Sequence, residues 1–243
     1  MISGLWFVVS CLAITAFYCT VVILASLAGV RQRTNGIYDR AGRGWGRDNL
    51  AANRLPVTVT GRENLPDGPA VFVANHVSFV DIWVMLALLP GTVRFLAKRE
   101  LLHVPIFGWA MRSAGHIPID RQNREAAVDA CGEAGMQIRN GTSAVVFGEG
   151  TRSRTGELLP LKKGACVLAI QAGVPVVPVY LEGTYEVLPK GTLRLTRRPI
   201  GMRIGPPIST AGLTYADRDA LVARCRESLV SLRDHVDGPL VAG

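Results

Sequence analysis

Residues 75–81, NHVSFVD, set a histidine and an aspartate five positions apart, directly behind the apolar run PAVFVA. In an ideal helix such a pair is turned about 140° apart. The side chains meet only if His76 lies in a turn and Asp81 in the first turn of the helix that follows. There the carboxylate holds one imidazole nitrogen protonated and leaves the other as a proton acceptor, which prepares a histidine for general-base chemistry near neutral pH. Asn75 and Ser78 are placed to fix the turn. The same residues also fit a plainer role, a hydrogen-bonded turn histidine beside a helix-capping aspartate.

A second cluster, FGEGTRSRTG at residues 147–156, gathers glycines, hydroxyls and two arginines behind an apolar run. That composition lets backbone N–H groups and guanidinium forks surround an anion, and phosphate is the guest that suits it. Gly150, Thr151 and Arg152 are the candidate ligands, with Glu149 ordering the loop or pairing an arginine. A solvated loop whose arginines pair with Glu149 and Glu157 is the alternative. The GxxxxGK[ST] pattern of a P-loop is absent. Arg121, after HIPID, is a candidate second phosphate ligand or a surface charge, and Lys98, closing VRFLAK, is a candidate supporting cation or a solvated lysine.

The elements that would position these groups alternate along the chain. PVTVTG, PAVFVA, VRFLAK, HIPID and SAVVF read as strands. Residues 81–89, 124–139 and the segment LKKGACVLAIQAG read as helices, the last two closed by Gly141 and Gly173. VPVVPVYLEG reads as a strand whose prolines imply an edge or a bulge. TLRLT and MRIGPPI add strands, and an amphipathic helix spans about residues 215–236. The expected fold is α/β, a mixed β-sheet flanked by helices, with the polar clusters beyond the carboxyl ends of strands.

Residues 1–30 carry no charged side chain and exceed the roughly 20 residues a helix needs to cross a bilayer. They read as a membrane-associated helix, spanning or lying in one leaflet, in preference to a signal peptide, because no basic segment precedes the apolar run. Arg31, Arg33, Arg40, Arg43 and Arg47 follow, which places the remainder on the cytoplasmic side, at the inner membrane of a cell that has one. The expected organisation is an anchor at 1–30, a basic connector at 31–53 and an α/β domain at 54–243. The net charge of +8 favours anionic partners. Membrane lipid is a simpler partner than nucleic acid, since no zinc-finger spacing, aromatic RNA-binding box or basic recognition helix occurs. Five scattered cysteines argue against a disulfide framework or a metal cluster.

Four blocks, NHVSFVD, GHIPIDR, FGEGTRS and VPVVPV, occur in that order, and FLAKRELLHVPIFGW lies between the first two. In this the chain resembles the glycerolipid acyltransferases, including those acting on 1-acylglycerol-3-phosphate, over about residues 57–207. Pro118 and Gly148 depart from the pattern, where an aromatic residue and a proline are common. The resemblance implies that a lysophosphatidate hydroxyl attacks an acyl thioester, giving phosphatidate. His76 would take the proton, Asp81 would orient the imidazole, and Arg121, Gly150, Thr151 and Arg152 would hold the phosphate. Asn75, Ser78, Lys98 and Glu149 would support them. It implies no metal and no cofactor, with acyl-CoA or acyl carrier protein as donor substrate. Another acceptor (glycerol 3-phosphate, a lysophospholipid or a lyso-aminolipid) and a non-catalytic lipid-binding role are the alternatives. Ser78 lacks the surrounding GxSxG of a nucleophile, so direct transfer is expected.

Overall fold

The computed structural model describes residues 4–119, 132 and 134–234. Among these, seven strands form one sheet: β1 (Val57–Thr60), β2 (Val71–Ala74), β3 (Thr92–Lys98), β4 (Ile117–Ile119), β5 (Thr142–Phe147), β6 (Val176–Glu182) and β7 (Ile200–Ile204). Their spatial order is β1-β7-β6-β2-β5-β3-β4, and every neighbouring pair is parallel except β6 and β7. The sheet is mixed, as the sequence implies.

β2 is buried at all four residues because both faces of the sheet are covered, which is why its sequence is continuously apolar. Phe72 and Ala74 face helix α3 (Val80–Leu88), in a cluster with Val145, Phe147, Trp83 and Val84. Val71 and Val73 face the helices Gly164–Ala172 and Arg218–Asp234, through Leu168, Ala169, Leu221 and Leu229. From β2 the chain crosses over β5 to reach β3, and from β5 it crosses over β2 to reach β6. The connections leave adjacent strands in opposite directions, which opens a crevice beyond their carboxyl ends, where open α/β sheets bind ligands.

Residues 31–53, expected as a connector, are for most of their length a helix, α2 (Ile37–Ala52). It runs antiparallel to α1 (Gly4–Leu27): Trp6 donates to the Ala52 carbonyl at 3.1 Å, Trp45 to Thr15 Oγ1 at 3.0 Å, Tyr18 to Asp48 at 2.6 Å and Tyr38 to the Val30 carbonyl at 2.8 Å. The glycines that read as linker residues are sites of close approach. A Cβ at Gly46 would lie 2.5 Å from the Trp83 carbonyl oxygen of α3, and one at Gly44 would collide with the Tyr18 ring of α1. Each glycine weakens an isolated helix by about 1 kcal/mol relative to alanine, so α2 depends on packing between α1 and α3.

A buried ion pair fastens this hairpin to the sheet. Asp39, in the first turn of α2, accepts from Arg94 of β3 at 2.7 Å, from Thr92 Oγ1 at 2.6 Å and from the Asn35 N–H at 2.8 Å. His116 lies beside it, accepting from the Phe95 N–H on Nδ1 at 3.1 Å. Burial, and then the Arg94 charge, push its pKa down to about 3, so it sits there neutral.

The other side of α1 is uncovered. Leu5, Val9, Leu12, Phe17, Leu24 and Leu27 are all exposed, and the helix is long and apolar enough to cross a bilayer. Its inner side packs on α2 and on α4 (Phe107–Ser113), with Cys19, Val22 and Ala25 against Tyr38, Ala41, Ala110 and Ala114. An apolar face of this extent on a docked helix suits association with a membrane.

Two expectations change. β6 lies inside the sheet despite its prolines. The Pro178 carbonyl accepts from Gly205 N–H at 2.8 Å, so the missing N–H also points to the β7 side, and the ladder with β7 begins only at Val179. TLRLT is not a strand. Leu195 is fully buried while Leu193 is 67% exposed, so the two leucines do not share a face as alternation requires.

These contacts set the expected outcome for two neighbouring glycines. Gly46→Ala is expected to lose about 1–3 kcal/mol through overpacking. At Gly42 an added Cβ makes an ordinary 3.6 Å contact with Leu86, so Gly42→Ala should match or slightly exceed wild-type stability. Thermal unfolding in detergent checks both.

Candidate active site

The turn after β2 is built around one carboxylate oxygen. Asp81, in the first turn of α3 and fully buried, places Oδ2 2.8 Å from His76 Nδ1 and 2.8 Å from each of the Val77 and Ser78 N–H groups. An ionised carboxylate only accepts, so the geometry assigns the proton of His76 to Nδ1 and leaves Nε2 as the acceptor. The imidazole lies flat on the Phe147 ring at the end of β5, with centroids 3.8 Å apart and planes 9° from parallel. His76 is therefore fixed in position by Asp81 and in plane by Phe147.

The flanking residues hold the turn from both sides. Asn75 extends β2 by one side chain: its amide donates to the Leu181 carbonyl at 2.9 Å and accepts from the Leu181 N–H at 2.7 Å. Ser78 Oγ donates to the Leu188 carbonyl at 2.8 Å and accepts from the Val80 N–H at 3.2 Å. Both side chains are buried and satisfied, so Ser78 is committed to structure.

The turn after β5 is joined to the first by Glu149. Its Oε1 accepts from the His76 N–H at 2.6 Å and its Oε2 from the Leu159 N–H at 2.9 Å, while Ser153 N–H donates to the His76 carbonyl at 2.8 Å. Glu149 thus orders the loop and forms no ion pair with an arginine among the described residues. Its burial raises its pKa, against the two backbone N–H groups, which lower it. Gly150 takes φ +74°, a left-handed turn that favours glycine. Gly148 has its N–H on Ala74 and its carbonyl on Lys162, so the ladder stiffens the position where proline was expected. Pro118 falls on β4, the edge strand, where a missing N–H is tolerated.

Thr151 and Arg152 follow at the rim, and the Arg152 guanidinium makes no hydrogen bond or ion pair among the described residues. Lys98 ends β3, beyond β5 from the histidine, exposed and 2.8 Å from Glu100. Arg121 lies outside the described residues. The sequence reading gave no role to Phe147, though it lies in the quoted block, nor to Lys190. Lys190 Nζ donates to Thr151 Oγ1 at 3.2 Å and to the Arg152 carbonyl at 3.0 Å. No local pattern signals a contact across about 40 residues of chain.

Fold and site together define an α/β protein with a carboxylate-held histidine at a sheet switch point, beside a glycine-arginine turn. The chain belongs to the acyltransferase family, whose family model matches residues 56–182, just over half of its length. It is 38% identical over 156 residues to the 1-acyl-sn-glycerol-3-phosphate acyltransferase of Cocos nucifera, covering 64% of this chain and 50% of that one. With the alpha form from Homo sapiens the identity is 38% over 180 residues, 73% of this chain and 64% of that one. The matched region thus spans about half to two thirds of these two curated relatives. The crystal structure of the 1-acyl-sn-glycerophosphate (LPA) acyltransferase PlsC from Thermotoga maritima superposes with a TM-score of 0.75 at 28% identity, covering 97% of this chain and 96% of that one.

A pH effect follows from Glu149. Because folding raises its pKa, the folded state binds this proton more tightly than the unfolded chain. The group's contribution to stability is therefore fully present below the ordinary value of 4.5 and is lost as pH rises through the folded value. The stability of wild type minus that of Glu149→Gln, from urea midpoints at successive pH values, is expected to decline on going up from pH 4.5. A difference that rises over the same range would contradict the burial argument.

Proposed function

We propose that this protein transfers a fatty acyl chain from an acyl thioester to the free hydroxyl of 1-acylglycerol-3-phosphate, giving phosphatidate at a membrane surface. The observation that carries this reading is His76, oriented by Asp81 at 2.8 Å and set beside a turn whose Arg152 has no partner among the described residues. A phosphate held at Gly150, Thr151 and Arg152 brings the glycerol hydroxyl of the same molecule toward the imidazole.

In the proposed reaction His76 Nε2 accepts the hydroxyl proton as the oxygen attacks the thioester carbonyl. The tetrahedral intermediate then expels the thiolate, which takes the proton back from the imidazolium. Asp81 stabilises the imidazolium and keeps its tautomer, as a buried carboxylate does behind a catalytic histidine. Ser78 has its hydroxyl on the Leu188 carbonyl, which supports direct transfer over an acyl-serine intermediate. Acyl-CoA or acyl carrier protein enters as a substrate, so no cofactor is part of the scheme. The exposed face of α1 supports a membrane location, and the arginines after it support a cytoplasmic, inner-membrane orientation.

Thiol release from palmitoyl-CoA or palmitoyl acyl carrier protein by the detergent-solubilised protein, with and without lysophosphatidate, tests this. Release is expected only with acceptor and is expected to fall by about 10²–10⁴ in His76→Ala. Arg152→Ala is expected to raise the KM for lysophosphatidate more than it lowers kcat. Unchanged turnover in His76→Ala would remove the general-base assignment.

A further inference from the structure

We infer that Lys190 is a second cation of the acceptor site, placed to select a phosphomonoester over a phosphodiester or an uncharged headgroup. The inference rests on the proposed reading of the Arg152 turn as a phosphate site. Lys190 comes from the segment after β6, far in sequence from that turn. Its ammonium is held there by Thr151 Oγ1 and the Arg152 carbonyl, at 3.2 and 3.0 Å. An ammonium has three donors, so two fix its position and one is left for a ligand.

The charge balance of the turn argues the same way. Lys190 and Arg152 are neighbours, yet neither has a carboxylate partner among the described residues. The nearby acid, Glu149, is turned inward with its oxygens on the His76 and Leu159 N–H groups. Two cations held at one turn with no carboxylate partner among the described residues suit an anionic ligand. A phosphomonoester carries about 1.5 to 2 negative charges near pH 7. It matches the pair, whereas a phosphodiester leaves about one positive charge unbalanced.

The position of Lys190 is also tied to the histidine. Ser78 bridges to Pro189, and its hydroxyl binds the Leu188 carbonyl, so the residues just before Lys190 are fastened to the turn that carries His76. A phosphate bound by Lys190 is thereby set relative to the base. This makes Lys190 a binding and positioning residue with no part in proton transfer.

The test measures equilibrium binding of lysophosphatidate, lysophosphatidylglycerol and monoacylglycerol of one chain length, in micelles, to wild type, Lys190→Met and Lys190→Arg. Thermal unfolding confirms that each variant is folded. Lys190→Met is expected to weaken lysophosphatidate about tenfold, weaken the diester less and leave monoacylglycerol within about twofold, while Lys190→Arg restores most of the preference. Equal weakening of all three ligands would show a structural role and overturn the inference, as would unchanged lysophosphatidate affinity. The two levels fail differently. A wild type that binds the three ligands alike sinks the phosphate reading of the turn and Lys190 with it. A wild type that discriminates, and a Lys190→Met that discriminates equally, sinks only Lys190.

Discussion

The site depends on one carboxylate oxygen. Asp81 Oδ2 receives the His76 Nδ1–H and the backbone N–H groups of Val77 and Ser78, so a single buried atom closes the turn, starts α3 and fixes the tautomer of the histidine. These functions do not separate. A carboxylate at the first turn of a helix is favoured by the helix dipole, and on the proposed reading the same oxygen orients the base. The unpartnered Oδ1 of Asp81, buried without a partner among the described residues, is a cost that concentrating three donors on Oδ2 offsets.

The surrounding structure keeps that turn in register with the rest of the crevice. Asn75 ties it to β6, Glu149 and Ser153 tie it to the turn after β5, and Ser78 ties it to the segment after β6. The bonds to Leu181 and His76 engage backbone groups at or just beyond the ends of β6 and β2 that the ladder leaves unpaired, so part of the site is the sheet's own termini satisfied across the switch point. Burying Glu149 raises its pKa, and the two N–H groups it accepts offset that cost only in part while gaining an acceptor themselves.

The alternation of strands and helices, the turn before α3 and the glycine-bearing turn after β5 were legible in the sequence because each is local. Apolar runs of four to six residues bounded by glycine and proline identify β2 and β5 without knowledge of their neighbours. What was not legible depends on partners. Gly44 and Gly46 look like linker residues until α1 and α3 are seen against them. Pro178 looks like an edge marker until its carbonyl is seen bonding Gly205, beyond the ladder with β7. Leu193 and Leu195 alternate in sequence, but their environments differ, because Leu195 enters the core while Leu193 lies outside. Phe147 and Lys190 reach the site only through tertiary packing, and no spacing rule connects them to His76 or Arg152.

The hairpin of α1 and α2 places the exposed apolar face of α1 and the site in a fixed relation. At one end Asp39 is buried against Arg94 of β3, a contact that resists both sliding and rotation because losing either partner strands a charge in the core. At the other end Phe7 packs near Trp83 of α3 and shares a core cluster with Leu188 and Leu195, the segment that carries Lys190. The amino-terminal half of the apolar helix therefore lies next to the loop that approaches the Arg152 turn. On the proposed reading this suits a substrate that is charged at one end and apolar at the other. The headgroup moves into a cationic turn while its chain stays beside an apolar helix, so binding does not require pulling the whole lipid through water. Each methylene kept out of water spares about 0.8 kcal/mol, so for a long acyl chain the site has to lie at the surface of the bilayer. A docked helix accomplishes this where a flexible tether would not, since only a rigid contact sets the distance between the leaflet and His76.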